Sequence, residues 1–439
     1  MMNVLINATL YDFQTLKKNA YIRFNQTIQD IGDMHDFKAR ASDTIYDAKD
    51  HLIMPGLIAG HTHIYSTFAR GLALEFNPHN FQEILDQLWW RIDRALDKDM
   101  VYHSGIVSAT DAVKNGITTM IDHHASGTDI VGTLNALKRA VVDTVGLRGA
   151  FAFETSDRFN ITQCIKENVD FFEKNKTSES RGLFGLHASM SLSEETLKNV
   201  KKVLGTIPIH MHVAESQMDQ EDSIQKYHEP VVHRLARHGL LNPNSILVHA
   251  LYVNDQELDL MKKHQVQVAL NVTSNMNNAV GLPDVMKFIE KDIPLILGND
   301  GISSAMTTEY LMLYYAMHLK TQSPTVFGLD DLRKIIINTY NYASRLFGTR
   351  LGQLQPGFQA DILSIPYVPP TPIKDTNAFG HVFFGLFQSF KPSDVWIKGK
   401  KRVQQYRVDE NLELAYKKAQ HSAKTLWQKL EKEGDKNDT

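Results

Sequence analysis

A single cysteine, Cys164, in 439 residues leaves no partner for an intramolecular disulfide and no thiolate cluster to hold a metal. A reducing compartment suits such a chain best. Surplus positive charge is missing as well. Lys and Arg number 47 against 50 Asp and Glu, a formal net charge of −3, so no basic field exists to hold nucleic acid or an anionic membrane. No uninterrupted apolar run approaches the roughly 20 residues of a bilayer span, and Met1 to Asp12 lacks the basic and then apolar succession of a secretory signal. We expect a cytoplasmic protein. Low-complexity tracts and Pro- or Gly-rich linkers are absent too, while 43% hydrophobic and 22% charged residues are ordinary for a folded globular chain. What the sequence does have is histidine, 19 residues of it, and imidazole is both a metal ligand and a near-neutral acid or base.

Short apolar, β-branched runs, each followed by a polar segment of helical length, recur through the middle of the chain. Eight of them end near His61, His123, Glu154, His187, His212, His249, Asn271 and Asp300. Continuous rather than alternating apolarity marks strands buried on both faces, as in a parallel sheet with helical crossovers. Eight βα units predict an α/β fold, a (β/α)₈ TIM-type barrel over residues 57–354. Barrel enzymes place their chemistry at strand C-termini, where each of these runs ends in polar groups. The flanks differ. Met2 to Leu10, Ala20 to Ile31, Ala360 to Pro366 and Asp394 to Gln404 read as short antiparallel strands, the last a hairpin about a Lys-Gly turn. They predict one small sheet domain from both chain ends, residues 1–56 and 355–405. Glu410 to Lys432 predicts a helix within a C-terminal helix and tail, 406–439, frayed from Glu433 to Thr439.

His61-Thr62-His63 closes the first barrel run, and residues i and i+2 of a strand project from one face, so two imidazoles can share an ion. Alone, the pair is equally compatible with two packed interior histidines. The spacing of further candidates adds to it: 149 residues separate His63 from His212, 37 separate His212 from His249, and 51 separate His249 from Asp300. With units of about 37 residues, these positions fall on strands 1, 5, 6 and 8 at one end of one barrel. Imidazoles with one carboxylate suit one divalent metal ion, Zn²⁺ first and Fe²⁺ second. Glu215 follows His212 by three residues and supplies the carboxylate that chemistry beside a metal needs as a proton carrier.

The motifs resemble the amidohydrolase superfamily, in its aminohydrolase and chlorohydrolase branch. They are Met54-Pro-Gly-Leu-Ile-Ala-Gly-His-Thr-His63, His212-Val-Ala-Glu215, Val248-His249-Ala250, Ser274-Asn-Met276, Leu297-Gly-Asn-Asp-Gly301 and Gly352 to Asp361. Within the branch, Leu88-Trp-Trp-Arg-Ile-Asp-Arg-Ala-Leu96 and Asp122-His-His-Ala-Ser126 look most like the SsnA-type aminohydrolases. The resemblance implies that His61, His63, His212 and Asp300 hold the metal, that Glu215 shuttles protons, and that His249 orients the attacking water. It also implies that the small domain is a β-sandwich. His187 stands on strand 4, where binuclear members carry a lysine, which supports one metal. Arg70, Trp89 and His187 are candidate substrate contacts; Arg70 and Trp89 equally suit a surface and a core place, and His123 a packed one.

The reading is a hydrolase that uses metal-activated water to deaminate a cyclic amidine, a purine, pyrimidine or triazine-like heterocycle. Glu215, His249 and Asp300 would do its proton and positioning work. Ring-opening amide hydrolysis, displacement of halide or alkylamine, and a non-catalytic metal-binding role stay open as alternatives. The partner is a small-molecule heterocycle, with neither nucleic acid nor membrane, and a homo-oligomer is compatible with it.

Overall fold

The computed structural model describes residues 2–49 and 51–434, so residues 435–439 of the expected tail lie outside the described residues. Eight strands succeed one another with helices between them: β1 (Leu57–Thr62), β2 (Ile117–His124), β3 (Arg148–Phe153), β4 (Phe184–Leu186), β5 (Ile209–Val213), β6 (Ile246–His249), β7 (Gln267–Leu270) and β8 (Leu295–Leu297). They end where the apolar runs end, because side chains on both faces of each strand are buried. Parallel pairing runs β1-β2-β3 and on to the short strand Ser180–Gly182 in one sheet, and β4-β5-β6-β7-β8 in another. Two isolated parallel bridges join the sheets' edges, Thr155 with Leu186 and Thr62 with Asp300. The second sets the last strand end beside the first, where Gly298 is required: a Cβ there would stand 2.7 Å from the His61 carbonyl oxygen and 2.8 Å from the His61 Cβ.

The crossover helices carry their own start signals. Asn160, Ser193 and Asn254 each accept a backbone N–H with the side chain at the N-cap, and Asn254 with Glu257 completes a reciprocal capping box.

The flanking strands form one eight-stranded sheet. Its pairing is mixed rather than wholly antiparallel, because Met2–Tyr11 pairs in parallel with both Asp43–Asp47 and His51–Pro55. The predicted strand over Ala20 to Ile31 is two, Leu16–Phe24 and Ile28–Asp33, joined antiparallel. Asp394–Ile397 and Lys400–Val403 make the predicted hairpin, with Lys398 and Gly399 both at positive φ, as a tight two-residue turn requires. A buried pair, Arg148 with Asp361, ties the start of β3 to this sheet.

The C-terminal helix, Glu410–Gly434, runs slightly past the expected end. Its stripe of Leu412, Ala419, Leu426 and Leu430 is buried, and its Trp427 indole donates to the Phe68 carbonyl at 2.7 Å. It thereby braces the segment that leaves β1. Among the described residues, no helix is long and apolar enough to cross a membrane.

Candidate active site

The C-terminal ends of β1, β5, β6 and β8 gather His61, His63, His212, His249 and Asp300 into one cluster. Each ring nitrogen that could stray is engaged. His63 Nδ1–H donates to the His123 carbonyl at 2.6 Å, His212 Nδ1–H to the His187 carbonyl at 3.2 Å, and His61 Nδ1 lies 2.8 Å from His210 Nε2. The Nε2 atoms are left to converge. Those of His63 and His212 approach to 3.1 Å, and Asp300 Oδ1 lies 3.3 Å from His63 Nε2 and 3.8 Å from His61 Nε2. With both Nδ1 positions spent as donors, the facing Nε2 atoms present lone pair to lone pair, which repels unless a cation stands between them. His61 Nε2 and His249 Nε2 are buried without a hydrogen-bond partner. Ligand atoms within 4.8 Å of one another group His61 with His63 and Asp300, and His61 with His212 and His249. This donor set fits a divalent cation.

The protonation states suit it. Burial pushes His61 down to about 3 and His212 well below the ordinary imidazole value, so both are neutral near pH 7 and offer lone pairs. Burial also pushes the Asp300 carboxyl up, but the surrounding His61, His63 and His249 imidazoles outweigh it and hold Asp300 below the usual range. Glu215 moves the other way: burial, then the Asp300 charge, push its carboxyl well above the ordinary value. Burial brings His249 down to about 4. Its Nε2 stands between the two carboxyls, 3.4 Å from Glu215 and 3.5 Å from Asp300, while Nδ1 meets the Asn275 amide at 2.9 Å.

Backbone strain concentrates at these strand ends. Ala214, His249, Ala250 and Asp300 all have positive φ, a conformation costing on the order of 1–3 kcal/mol per residue when the residue is not glycine. Hydrogen bonds hold it: Asp219 accepts the N–H groups of Ala214 and Met190, each at 3.0 Å, and Ala250 N–H donates to Val213 O at 2.9 Å. Asp219 thus fixes the turn that presents Glu215.

The cluster opens into a cavity. His63, His212, Glu215, Asp300 and His187 form one part of its wall, and Tyr65, Phe81, Trp89, Trp90 and Met190 a more apolar part. Trp89 ends a π-helical turn, Leu85–Trp89, and Trp90 starts the next helix; such insertions in helices accompany functional sites. Of the expected substrate contacts, Trp89 and His187 line the cavity and Arg70 does not. The chain leaves β1 through a short helix and turns at Gly71, φ 80°, which carries Arg70 outward to pair with Asp111 at 3.0 Å. His123 is packed, its Nε2 3.0 Å from the carbonyls of Leu186 and His210 and its Nδ1 3.5 Å from Glu154.

A family model described as the amidohydrolase family matches residues 52–402. The chain belongs to that family. A 5'-deoxyadenosine deaminase of Methanosphaera stadtmanae is 26% identical over 400 residues, covering 88% of this chain and 90% of the relative. A 5-methylthioadenosine/S-adenosylhomocysteine deaminase of Pyrococcus furiosus is 27% identical over 339 residues, covering 74% and 77%. Among solved structures, an adenosine deaminase from Xanthomonas campestris with bound zinc aligns at TM-score 0.83 and 19% identity, covering 96% of this chain and 98% of that one. A zinc complex of atrazine chlorohydrolase from Arthrobacter aurescens aligns at TM-score 0.80 and 18% identity, covering 96% and 100%. The family and these neighbours give the chain a TIM-barrel-type fold.

Several residues of this amidohydrolase's site escaped the sequence reading. His210 shares the His-x-His pattern of β1 and could have been found by it. Glu154 ends the third apolar run and could have been found by that place; Asp93 and Arg158 could not, since their pairing joins a helix and a loop 65 residues apart. Binding a cation through His61 Nε2 places the His61 proton on Nδ1, where it faces His210 Nε2. Outer partners of this kind typically contribute 10–100-fold to metal affinity, so His210→Phe is expected to weaken metal retention by about that factor. Chelator competition on folded protein measures it, and unchanged retention would show that His210 does not orient His61.

Proposed function

We propose that this chain is a metal-dependent aminohydrolase that deaminates an aminated purine-like ring, free or as a nucleoside. Residues 57–354 would form a closed (β/α)₈ barrel, 1–56 and 355–405 a small β-sandwich domain, and 406–439 a C-terminal helix and tail. The observation that carries the reading is the convergence of His61, His63, His212 and Asp300 beside Glu215 and His249, in a cavity with aromatic walls. The names of the deaminase relatives support it.

In this reading His61, His63, His212 and Asp300 hold one divalent ion, Zn²⁺ by donor type. When bound, it acidifies the attacking water and stabilises charge that develops in the transition state. Asp300 accepts a proton from that water through the oxygen nearer His249. His249 Nε2, between the two carboxyls, orients the nucleophile and polarises the carbon under attack. Glu215, whose carboxyl burial and Asp300 push up, donates its proton to the ring nitrogen beside that carbon; as the tetrahedral centre collapses, Glu215 takes back the hydroxyl proton and Asp300 returns its proton to the amino group, which leaves as ammonia. Trp89 and His187 would contact the ring, the indole by stacking.

Two measurements test this. Elemental analysis of active protein is expected to find about one divalent metal per chain; two tightly held ions, or an active metal-free protein, would remove the mononuclear assignment. Metal-loaded protein is expected to release ammonia from adenosine, 5'-deoxyadenosine or 5'-methylthioadenosine. Release of chloride or alkylamine from triazines with no ammonia from any of these would replace deamination by displacement.

A further inference from the structure

We propose that the cavity selects uncharged or cationic heterocycles and excludes ligands that carry a phosphate or a carboxylate. The inference rests on the aminohydrolase reading and narrows its substrate class. Asp93, Glu154, Glu215, Asp219 and Asp300 all line the cavity, and among its described lining residues there is no lysine or arginine.

The nearest guanidinium is already spent. Arg158 donates to Asp93 at 3.0 Å and to Glu154 at 2.8 Å, its Nε donates to Ser156 Oγ at 3.2 Å, and its plane lies 4.6 Å from the Trp90 ring centroid. An incoming anion would have to displace a carboxylate held in a buried, charge-assisted pair. Arg70, the other cation of this region, lines an adjoining cleft that shares His63, Trp89 and Asp300 with the cavity, but its guanidinium is bound to Asp111 and is 60% exposed.

Charge bookkeeping points the same way. Of the five carboxyls that line the cavity, Arg158 is paired with two, Asp93 and Glu154, and among the described residues it is the one guanidinium that reaches them. Among the described lining residues no lysine or arginine is free to meet a ligand's anionic group, and the carboxyls beside it add like-charge repulsion. The other wall is aromatic and apolar, suited to a flat neutral ring. A neutral nucleoside or free base meets this wall at no electrostatic cost, whereas a nucleotide, or a nucleoside that carries a 5'-carboxylate, is repelled by the carboxyls beside it.

The test compares matched pairs on metal-loaded, full-length protein: adenosine with adenosine 5'-monophosphate, and adenosine with adenosine-5'-carboxylate, by ammonia release. The neutral member is expected to lead by about 100-fold or more in kcat/KM, the scale of like-charge discrimination at an interface. An anionic member within threefold of its neutral partner, or better, overturns the proposal. Asp93→Asn, which frees part of Arg158, is expected to narrow the gap about tenfold, and an unchanged gap in the folded variant would show that charge does not set it. If no pair is turned over, the deaminase reading fails and the charge rule is decided separately by tryptophan quenching with benzamidine and with benzoate. Half-saturation by benzamidine at about a tenth of the benzoate concentration or lower sustains the rule, and any smaller preference, or the reverse, overturns it.

Discussion

Glu215→Gln is expected to keep its metal and to lose turnover by about 10²–10⁴-fold, the range that general acid–base groups contribute. The amide preserves the shape of the side chain and the turn that Asp219 holds through Ala214 N–H, so the His61, His63, His212 and Asp300 donors stay in place. What it removes is a transferable proton. Burial and the neighbouring Asp300 charge push the Glu215 carboxyl well above its ordinary value, which favours the protonated form that a donor to a ring nitrogen needs. Metal content and turnover measured on one preparation decide the matter. Loss of metal together with activity would make Glu215 a ligand or a structural residue, and near wild-type turnover with metal bound would remove it from proton transfer altogether.

Why the strand ends were legible while other parts were not follows from the kind of signal each residue leaves. A strand buried on both faces must be apolar along its whole length, so β5, β6 and β8 announce themselves, and the residues at or just past their ends, His212, His249 and Asp300, are found by counting units. His61 and His63 add strand periodicity. Asp43–Asp47 leaves no such trace: Asp-Thr-Ile-Tyr-Asp is half-buried at most, and its parallel partner, Met2–Tyr11, lies some forty residues earlier. His51–Pro55 merges in sequence with the run of β1 and cannot be told from it by apolarity. The Asp93, Glu154 and Arg158 network joins the helix Trp90–Ala95 to the loop after β3, 65 residues apart for Arg158 and Asp93; the Glu154–Arg158 pair is local, but the link to Asp93 leaves no local pattern. Arg70 shows the converse, a residue type suited to grip a substrate whose backbone turn points it elsewhere.

Asp300→Asn is expected to be the most damaging single change that leaves the fold intact, lowering turnover by on the order of 10⁴-fold even at saturating metal, near the upper end for loss of a general acid–base group. The residue is placed to act twice. One carboxylate oxygen faces His63 and His61, at 3.3 and 3.8 Å, and the other lies 3.5 Å from His249 Nε2. An asparagine retains a neutral oxygen toward the imidazoles, so some metal persists and can be restored by saturation. It has no basic oxygen to accept the water's proton, and added metal cannot supply one. The strained backbone at φ 52° is tolerated by asparagine as by aspartate, so the comparison isolates chemistry from folding. His249→Gln serves as the control: it is expected to keep most of the metal, because His249 is proposed to orient rather than to ligate, and to lower turnover through a misplaced nucleophile. Turnover per bound metal, measured on both variants after saturation, separates the roles. Near wild-type turnover per bound metal in Asp300→Asn would show that the carboxylate is not the essential proton acceptor, and the proton path would then have to run through Glu215 and His249 alone.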